Sequence, residues 1–347
     1  MHPSDVPLAL TFDDVNLVPV HSSVPSRKSP TIRSIVADER LKIPIIASPM
    51  NTICEIEMAR TMRDIGADAV IHRYMTIGQQ KKHFVKNCWM AIGASGDYLQ
   101  RAIQLYQLGV RKFCIDVANG HSQICIDAIK QITVWLKRNF DYPLYKIMAG
   151  NVCTYKGAVD LAEIGVDAIR VGIGSGGACS TRLVTGYGVP QLTALESCLE
   201  IKSSFPNVSI ISDGGIRGSG DLIKCFALGC DAVMIGSLLS ASSDTPGEVF
   251  EDSDGYQFKR FSGMASKEAR ISWYEREQTN FVPEGESFEV EYKGDTKKIV
   301  LDLAHSLKVG MSYGGAMNLK QFKQNAKWVQ VTDNGRKEGY PNKKLNS

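Results

Sequence analysis

Cys179 stands in the middle of GIGSGGACSTRLVTGYGVPQ, residues 172–191, the segment with the clearest capacity for chemistry. Glycines at 172, 174, 176, 177, 186 and 188 let consecutive backbone N–H and C=O groups turn inward around an ion or a ligand. A thiol among small and hydroxylic neighbours is accessible, and it acts as a nucleophile when held as thiolate. Thr181 could relay a proton there, and Arg182 could favour negative charge. The bland alternative is an incidental cysteine on a flexible loop. That reading suits the other eight cysteines, most of which sit in apolar patterns and pack as small hydrophobes.

Two further glycine turns, SDGGI (212–216) and IGS (235–237), each follow an apolar run, and the first leads into a helix near Ser219. Either turn alone could serve only to reverse the chain. Together, in this order, they predict a phosphorylated ligand held on backbone N–H groups. Asp213 suits the hydroxyls of a ribose rather than a phosphate. DVANG (116–120) either holds a cofactor amide or caps the next helix, and capping is the better reading of the motif alone. GNV (150–152) ends another apolar run in the same way. His72 reads as a satisfied polar side chain. No GxGxxG opens a first βα unit, so a dinucleotide would not bind in the Rossmann manner.

These loops need a frame. IGADAVIHR (65–73), LGVRKFCID (108–116), IGVDAIRVG (164–172) and LGCDAVMIG (228–236) repeat one junction of helix end, glycine, polar turn and apolar run. With IPIIAS (43–48), WMAIGA (89–94), LYKIMAG (144–150) and VSIISDG (208–214) they make eight short strands. Helical patterns fall at 55–65, 76–85, 98–108, 122–137, 156–164, 191–203, 221–228 and 297–307. Eight alternating units predict an α/β fold, a (β/α)8 TIM barrel, over an open doubly wound sheet. The reactive loops then lie at the C-terminal ends of strands six, seven and eight, where barrels place their active sites. One catalytic domain over 1–332 is expected. It has a long excursion at 238–294, functional or disordered, and a polar tail at 333–347, mobile or ordered only by a neighbour.

Composition limits the partners. The chain has 347 residues, 40 basic and 37 acidic side chains and a net charge of +3. That balance gives no reason to expect nucleic acid or a membrane surface. Nine scattered cysteines, without CxxC or a histidine at metal-ligand spacing, suggest reduced thiols and a cytoplasmic setting. No apolar run approaches a membrane span, and the start lacks a basic apolar signal.

The motifs GIGSGGACSTR, SDGG and MIGSLL resemble the IMP dehydrogenase and GMP reductase family, and the likeness runs from FDDVNLVP (12–19) to VQVT (329–332). It implies an oxidoreductase acting at C2 of a purine nucleoside monophosphate, usually as a homotetramer. Cys179 matches the residue that attacks C2 and forms a covalent purine intermediate. Thr181 and Glu284 match a proton-handling pair. Asp213, Gly214, Gly215, Gly236 and Ser237 match ribose and phosphate contacts, and Gly263, Met264, Ala265 and Gly285 the stretch against the substrate. Asp116, Val117, Ala118, Ile173 and Gly174 match the nicotinamide side. Ser26, Arg27 and Arg73 match positions near the dinucleotide. The carbonyls of Gly174, Gly176 and Cys179 match those holding a monovalent cation such as potassium.

Within the family the resemblance leans to GMP reductase, with NADPH as cofactor. Only a short stretch separates His72 from Trp89, too little for the regulatory (CBS) insert typical of dehydrogenases. Asn119 is the residue that reductases carry. Lys267–Pro283 lacks the adjacent Arg-Tyr pair with which dehydrogenases activate water, offering Trp273, Tyr274 and Arg276 instead. GGIRGSGD, TPGE (245–248), FVPEG (281–285), NAKWVQVT (325–332) and Phe281 look more like dehydrogenases. Arg182 does not discriminate. IMP dehydrogenase with NAD is therefore the alternative, and a catalytically inactive nucleotide-binding protein the second.

Overall fold

The computed structural model describes residues 6–140, 144–274 and 282–341, and of 272–274 the backbone only. Eight parallel strands close into a barrel. They are β1 Ile45–Ala47, β2 Asp68–Ile71, β3 Trp89–Ile92, β4 Lys112–Asp116, β5 Lys146–Val152, β6 Ala168–Val171, β7 Ser209–Asp213 and β8 Ala232–Ile235. Closure runs through β8 and β1, with Val233 opposite Ile45. The helices are α1 Ile56–Asp64, α2 Ile77–Lys82, α3 Tyr98–Leu108, α4 Gln123–Asn139, α5 Tyr155–Glu163, α6 Gln191–Leu199, α7 Ser219–Leu228 and α8 Thr296–Tyr313.

The repeated junction has a backbone cause. Gly66, Gly109, Gly165 and Gly229 all lie at φ between +82° and +110°, where a side chain would strain the helix stop. Each strand beyond such a stop is apolar throughout because both its faces are covered. One face points into the barrel, where Ile46, Val70, Trp89, Ala91, Met148 and Ile211 pack together. The other packs on the helices, through residues such as Ile45, Ile71, Ile92, Phe113, Ile169 and Ile235. The interior is thus a filled core, and ligands must bind at its mouth.

A hairpin absent from the sequence reading, Ser34–Val36 with Glu39–Leu41, pushes Val36, Ala37 and Leu41 into the foot of this core. Its turn residues Ala37 and Asp38 have φ of 48° and 65°, the backbone of a primed two-residue turn. Lys112 binds Asp68 at 2.9 Å and also Glu39, and Arg63 binds Glu39 at 2.5 Å, so the plug is held by charge as well as packing.

The excursion at 238–294 is more ordered than its composition suggests. Phe250–Glu251, Gln257–Ser262 and Ser287–Glu291 form an antiparallel sheet, with the helix Lys267–Tyr274 in the chain between its second and third strands. Lys259 on the central strand is buried and donates to the carbonyl of Thr245 at 2.7 Å, tying the sheet to the segment after β8. The tail also departs from expectation. Trp328–Gln330 pairs with Val15–Leu17, and Asp333–Glu338 is a helix capped by Thr332. Arg336 reaches Asp13 at 3.6 Å, so this stretch finds its partner within its own chain. Among the described residues no helix is long and apolar enough to cross a membrane.

Candidate active site

A cavity of about 380 Å³ opens at the C-terminal ends of the barrel strands. Its walls include Asp116, Val117 and Ala118 after β4, Asn151 on β5, Arg170 on β6 and the loop 172–179 beyond it. Asp213, Gly214 and Gly215 after β7, and Gly236 and Ser237 after β8, complete the opposite side. Ile173, Gly174, Gly176, Cys179, Thr181, Arg73, Gly263, Met264, Ala265, Glu284 and Gly285 also line it. Nearly every residue singled out from the sequence therefore meets in one space.

Ser26 and Arg27 do not. Both are exposed, and Arg27 packs on Tyr313 at the end of α8, 5.5 Å from its ring centroid. Within this chain they lie outside the cavity wall. Phe281, Arg276 and the side chains of Trp273 and Tyr274 lie outside the described residues.

Cys179 is exposed, whereas Cys54, Cys88, Cys114, Cys125, Cys198, Cys225 and Cys230 are buried. Burial pushes the Cys114, Cys198 and Cys225 thiols up to about 12, which keeps them inert as nucleophiles. The Cys179 thiol donates to Thr181 Oγ1 at 3.2 Å. Its backbone is laid against the excursion. Ser180 N–H donates to the Glu284 carbonyl at 2.9 Å, and Glu286 N–H donates to the Ala178 carbonyl at 3.0 Å. Gly263 packs behind this pairing, where a Cβ would meet the Ala178 carbonyl at 2.6 Å. Three segments far apart in sequence thus converge on one thiol because glycine lets their backbones touch.

Arg182 has another role than the one expected of it. Its guanidinium donates to the carbonyls of Val189 at 2.6 Å and Ile173 at 3.4 Å, clasping both ends of the loop. Its charge is spent on loop shape rather than on the thiol. The start of α7 likewise differs from expectation. Asp221 in its first turn reaches back to accept from Arg217 N–H at 2.9 Å, and the N-cap Gly218 offers no side chain. The Gly214–Gly215 turn before it is what faces the cavity. On the β8 side, Lys293 donates to the Ser237 carbonyl at 2.7 Å and holds that turn in place.

Arg170 was missed in the sequence reading. It is 5% exposed and bridges two carboxylates, reaching Asp116 Oδ1 and Asp213 Oδ2 at 2.7 Å each. Burial opposes its charge, but the Asp213 and Asp116 carboxylates raise its pKa well above the ordinary value. The signal was available, since a charge inside the apolar run AIRV has no place in a packed barrel unless it is paired. Asn151 adds a bond to Asp213 at 2.9 Å. In DVANG, Asn119 accepts from His121 N–H at 3.1 Å in the turn before α4, and the cap of that helix is Ser122, beyond the motif.

His72 is buried as a satisfied side chain. Nδ1 accepts from Tyr74 N–H at 3.1 Å, so Nε2 carries the proton toward Glu55 Oε1, also at 3.1 Å. Burial lowers its pKa below the ordinary 6.5, outweighing the Glu55 hydrogen bond that raises it. The unfolded chain therefore takes up the proton first. The stabilising contribution is complete above 6.5 and is lost as pH falls through that value toward the lower folded pKa. Melting temperature is expected to fall between about pH 7.5 and 5.5, and less so in His72→Gln, as thermal melts across that range would show.

The match to known proteins agrees with this geometry. Residues 9–342 fit the model of the IMP dehydrogenase / GMP reductase domain. The chain belongs to the IMP dehydrogenase/GMP reductase family. It is 32% identical to the inosine-5'-monophosphate dehydrogenase of Borreliella burgdorferi, over 96% of each chain. It is 33% identical to human GMP reductase 1, over 94% of this chain and 96% of that one. A crystal structure of a Trypanosoma brucei GMP reductase in complex with guanosine 5'-monophosphate superposes with a TM-score of 0.91. The sequences there are 26% identical, and 98% of each chain is covered. Some other matching dehydrogenases are about twice as long as the stretch that aligns. Members of the IMP dehydrogenase/GMP reductase family are oxidoreductases that use a nicotinamide cofactor, and the chain is an oxidoreductase of this family.

Proposed function

We propose that the protein is a GMP reductase, converting GMP to IMP and ammonia with NADPH through a purine bonded to Cys179. The observation that carries this is the exposed Cys179 thiol, held 3.2 Å from Thr181 Oγ1 on a cavity whose wall also includes Glu284 and two glycine turns. The Gly214–Gly215 and Gly236–Ser237 turns take the phosphate, and Asp213 takes the ribose. Three donors from Arg170 and Asn151 converge on Asp213 Oδ2, which leaves Oδ1 for a sugar hydroxyl.

The base then lies between Cys179 and the Gly263–Ala265 stretch. Thr181 and Glu284 move the proton from the thiol toward the departing C2 amino group, so that sulfur bonds to C2 as ammonia leaves. Val117 and Ala118, with Ile173 and Gly174, offer an apolar and backbone surface on the other side of that carbon, which suits a nicotinamide ring. A bound dinucleotide would supply the hydride for C2, and Cys179 would then leave as thiolate. Carbonyls of Gly174, Gly176 and Cys179 would hold a monovalent cation, potassium by chemistry, since hard carbonyl oxygens suit an alkali ion. Gly176 O already accepts from Cys179 N–H at 3.0 Å, so this carbonyl is turned into the loop.

The connection from β2 to β3 holds only α2, which suits a reductase and separates the chain from dehydrogenases that carry an insert, but not from dehydrogenases of its own length. A dehydrogenase acting on IMP with NAD is the second reading, favoured by the full-length match to the Borreliella burgdorferi enzyme. Supplying GMP with NADPH, and separately IMP with NAD, decides between them. Consumption of NADPH with release of ammonia is expected in the first mixture. Formation of NADH in the second mixture alone would establish the dehydrogenase, and tight nucleotide binding with turnover in neither would mark an inactive binding protein.

A further inference from the structure

Arg73, Asp116, Arg170 and Asp213 form a chain of alternating charge along the cavity wall. Arg73 Nε donates to the Asp116 carbonyl at 3.1 Å and stands 3.5 Å from Asp116 Oδ2. Arg170 Nη1 meets Asp116 Oδ1 at 2.7 Å, while Nε and Nη2 meet Asp213 Oδ2 at 3.1 and 2.7 Å. One rigid guanidinium plane therefore orients two carboxylates from strands β4 and β7, on opposite flanks of β6. A lysine could not do this, because its ammonium is a point charge without a fork.

We propose that Arg170 is a positioning residue that couples the two ends of the cavity, so that a nucleotide at Asp213 and a dinucleotide at Asp116 each tighten the binding of the other. The inference rests on the assignment of the ribose to Asp213 and of the dinucleotide to Asp116. A sugar hydroxyl on Asp213 Oδ1 restrains that carboxylate, the guanidinium plane and Asp116 in turn. The second ligand then finds its acceptor already ordered and loses less conformational freedom on binding. The plane cannot relax into water, since Arg170 is buried and either carboxylate removed leaves charge uncompensated.

The test is calorimetric titration of GMP, with and without NADP+, on the native protein and on Arg170→Lys, Asp116→Asn and Asp213→Asn. In the native protein the dinucleotide is expected to tighten nucleotide binding by a factor on the order of 10, and in Arg170→Lys that factor falls to about 1. A merely structural loss would weaken binding equally with and without dinucleotide and leave the factor intact, which would overturn the proposal. Asp116→Asn keeps Arg170 and serves if Arg170→Lys does not fold. It is expected to weaken nucleotide binding several-fold with no dinucleotide present, and unchanged affinity there also overturns the proposal. Asp116→Asn and Asp213→Asn combined should be non-additive in the native background. Binding is read without turnover, since NADP+ has no hydride to give to GMP. If IMP and NAD prove to be the reacting pair, IMP is titrated with and without NADH, which is equally unable to react, and the coupling is judged unchanged.

Discussion

Cys179→Ala is expected to lose turnover by roughly 10⁴-fold or more while GMP still binds with nearly native affinity. The thiol is exposed and donates a hydrogen bond to Thr181 Oγ1. Its removal leaves no cavity in the core, so melting temperature should change little. The backbone bonds that shape the loop, from Ser180 N–H to the Glu284 carbonyl and from Cys179 N–H to the Gly176 carbonyl, do not involve sulfur. The loss is therefore expected on the chemical step, since the glycine turns and Asp213, proposed to bind the nucleotide, are untouched. Single-turnover kinetics beside equilibrium titration would separate the two. Turnover retained within tenfold of native would rule out a covalent bond at C2. An alanine variant that bound GMP far more weakly would show instead that the thiol serves recognition.

Gly172→Ala is expected to remove activity by at least about 100-fold and to cost on the order of 3 kcal/mol of stability. Gly172 directly follows β6 at φ +146°, and a Cβ there would stand 2.0 Å from the Asp213 carbonyl oxygen and 2.8 Å from Gln191 Oε1. Neither neighbour can yield cheaply. Asp213 ends β7 and is gripped by Arg170 and Asn151, while Gln191 donates to the Val171 carbonyl at 2.7 Å. The displacement would pass from the Cys179 loop into Asp213, so the proposed nucleophile and the proposed ribose contact would both move. Gly218→Ala makes the contrast. No atom lies within 4 Å of its Cβ and its φ is −167°, so it should stay within about 0.5 kcal/mol of native. Chemical denaturation of both variants gives the stabilities, and steady-state kinetics gives the activities. Equal effects in the two would show that the steric argument at Gly172 fails.

The barrel was legible because its signals are local. A helix stop at Gly66, Gly109, Gly165 or Gly229 is a property of one residue's backbone, and the apolar run beyond it reports burial on both faces. All eight strands and the helices between them fall within a few residues of where the periodicity puts them. The Cys179 loop and the two glycine turns were legible for the same reason, since glycine spacing alone marks a loop that can close on a ligand.

What escaped the sequence depends on pairs far apart in it. Asp13 binds Arg217, Glu39 binds Arg63, and Ser262 sits opposite Ser287 only once the barrel has brought the segments together. The excursion's sheet, the hairpin at the barrel's foot and the tail's docking all belong to this class. So does the turning of Arg182 away from the thiol, which follows from carbonyls at both ends of its loop. Residue order along this chain determined that an exposed thiol would stand at a barrel mouth between two glycine turns. Tertiary packing decided which charges face that thiol and which are consumed in holding its loop, because a buried charge goes wherever the fold offers it a partner.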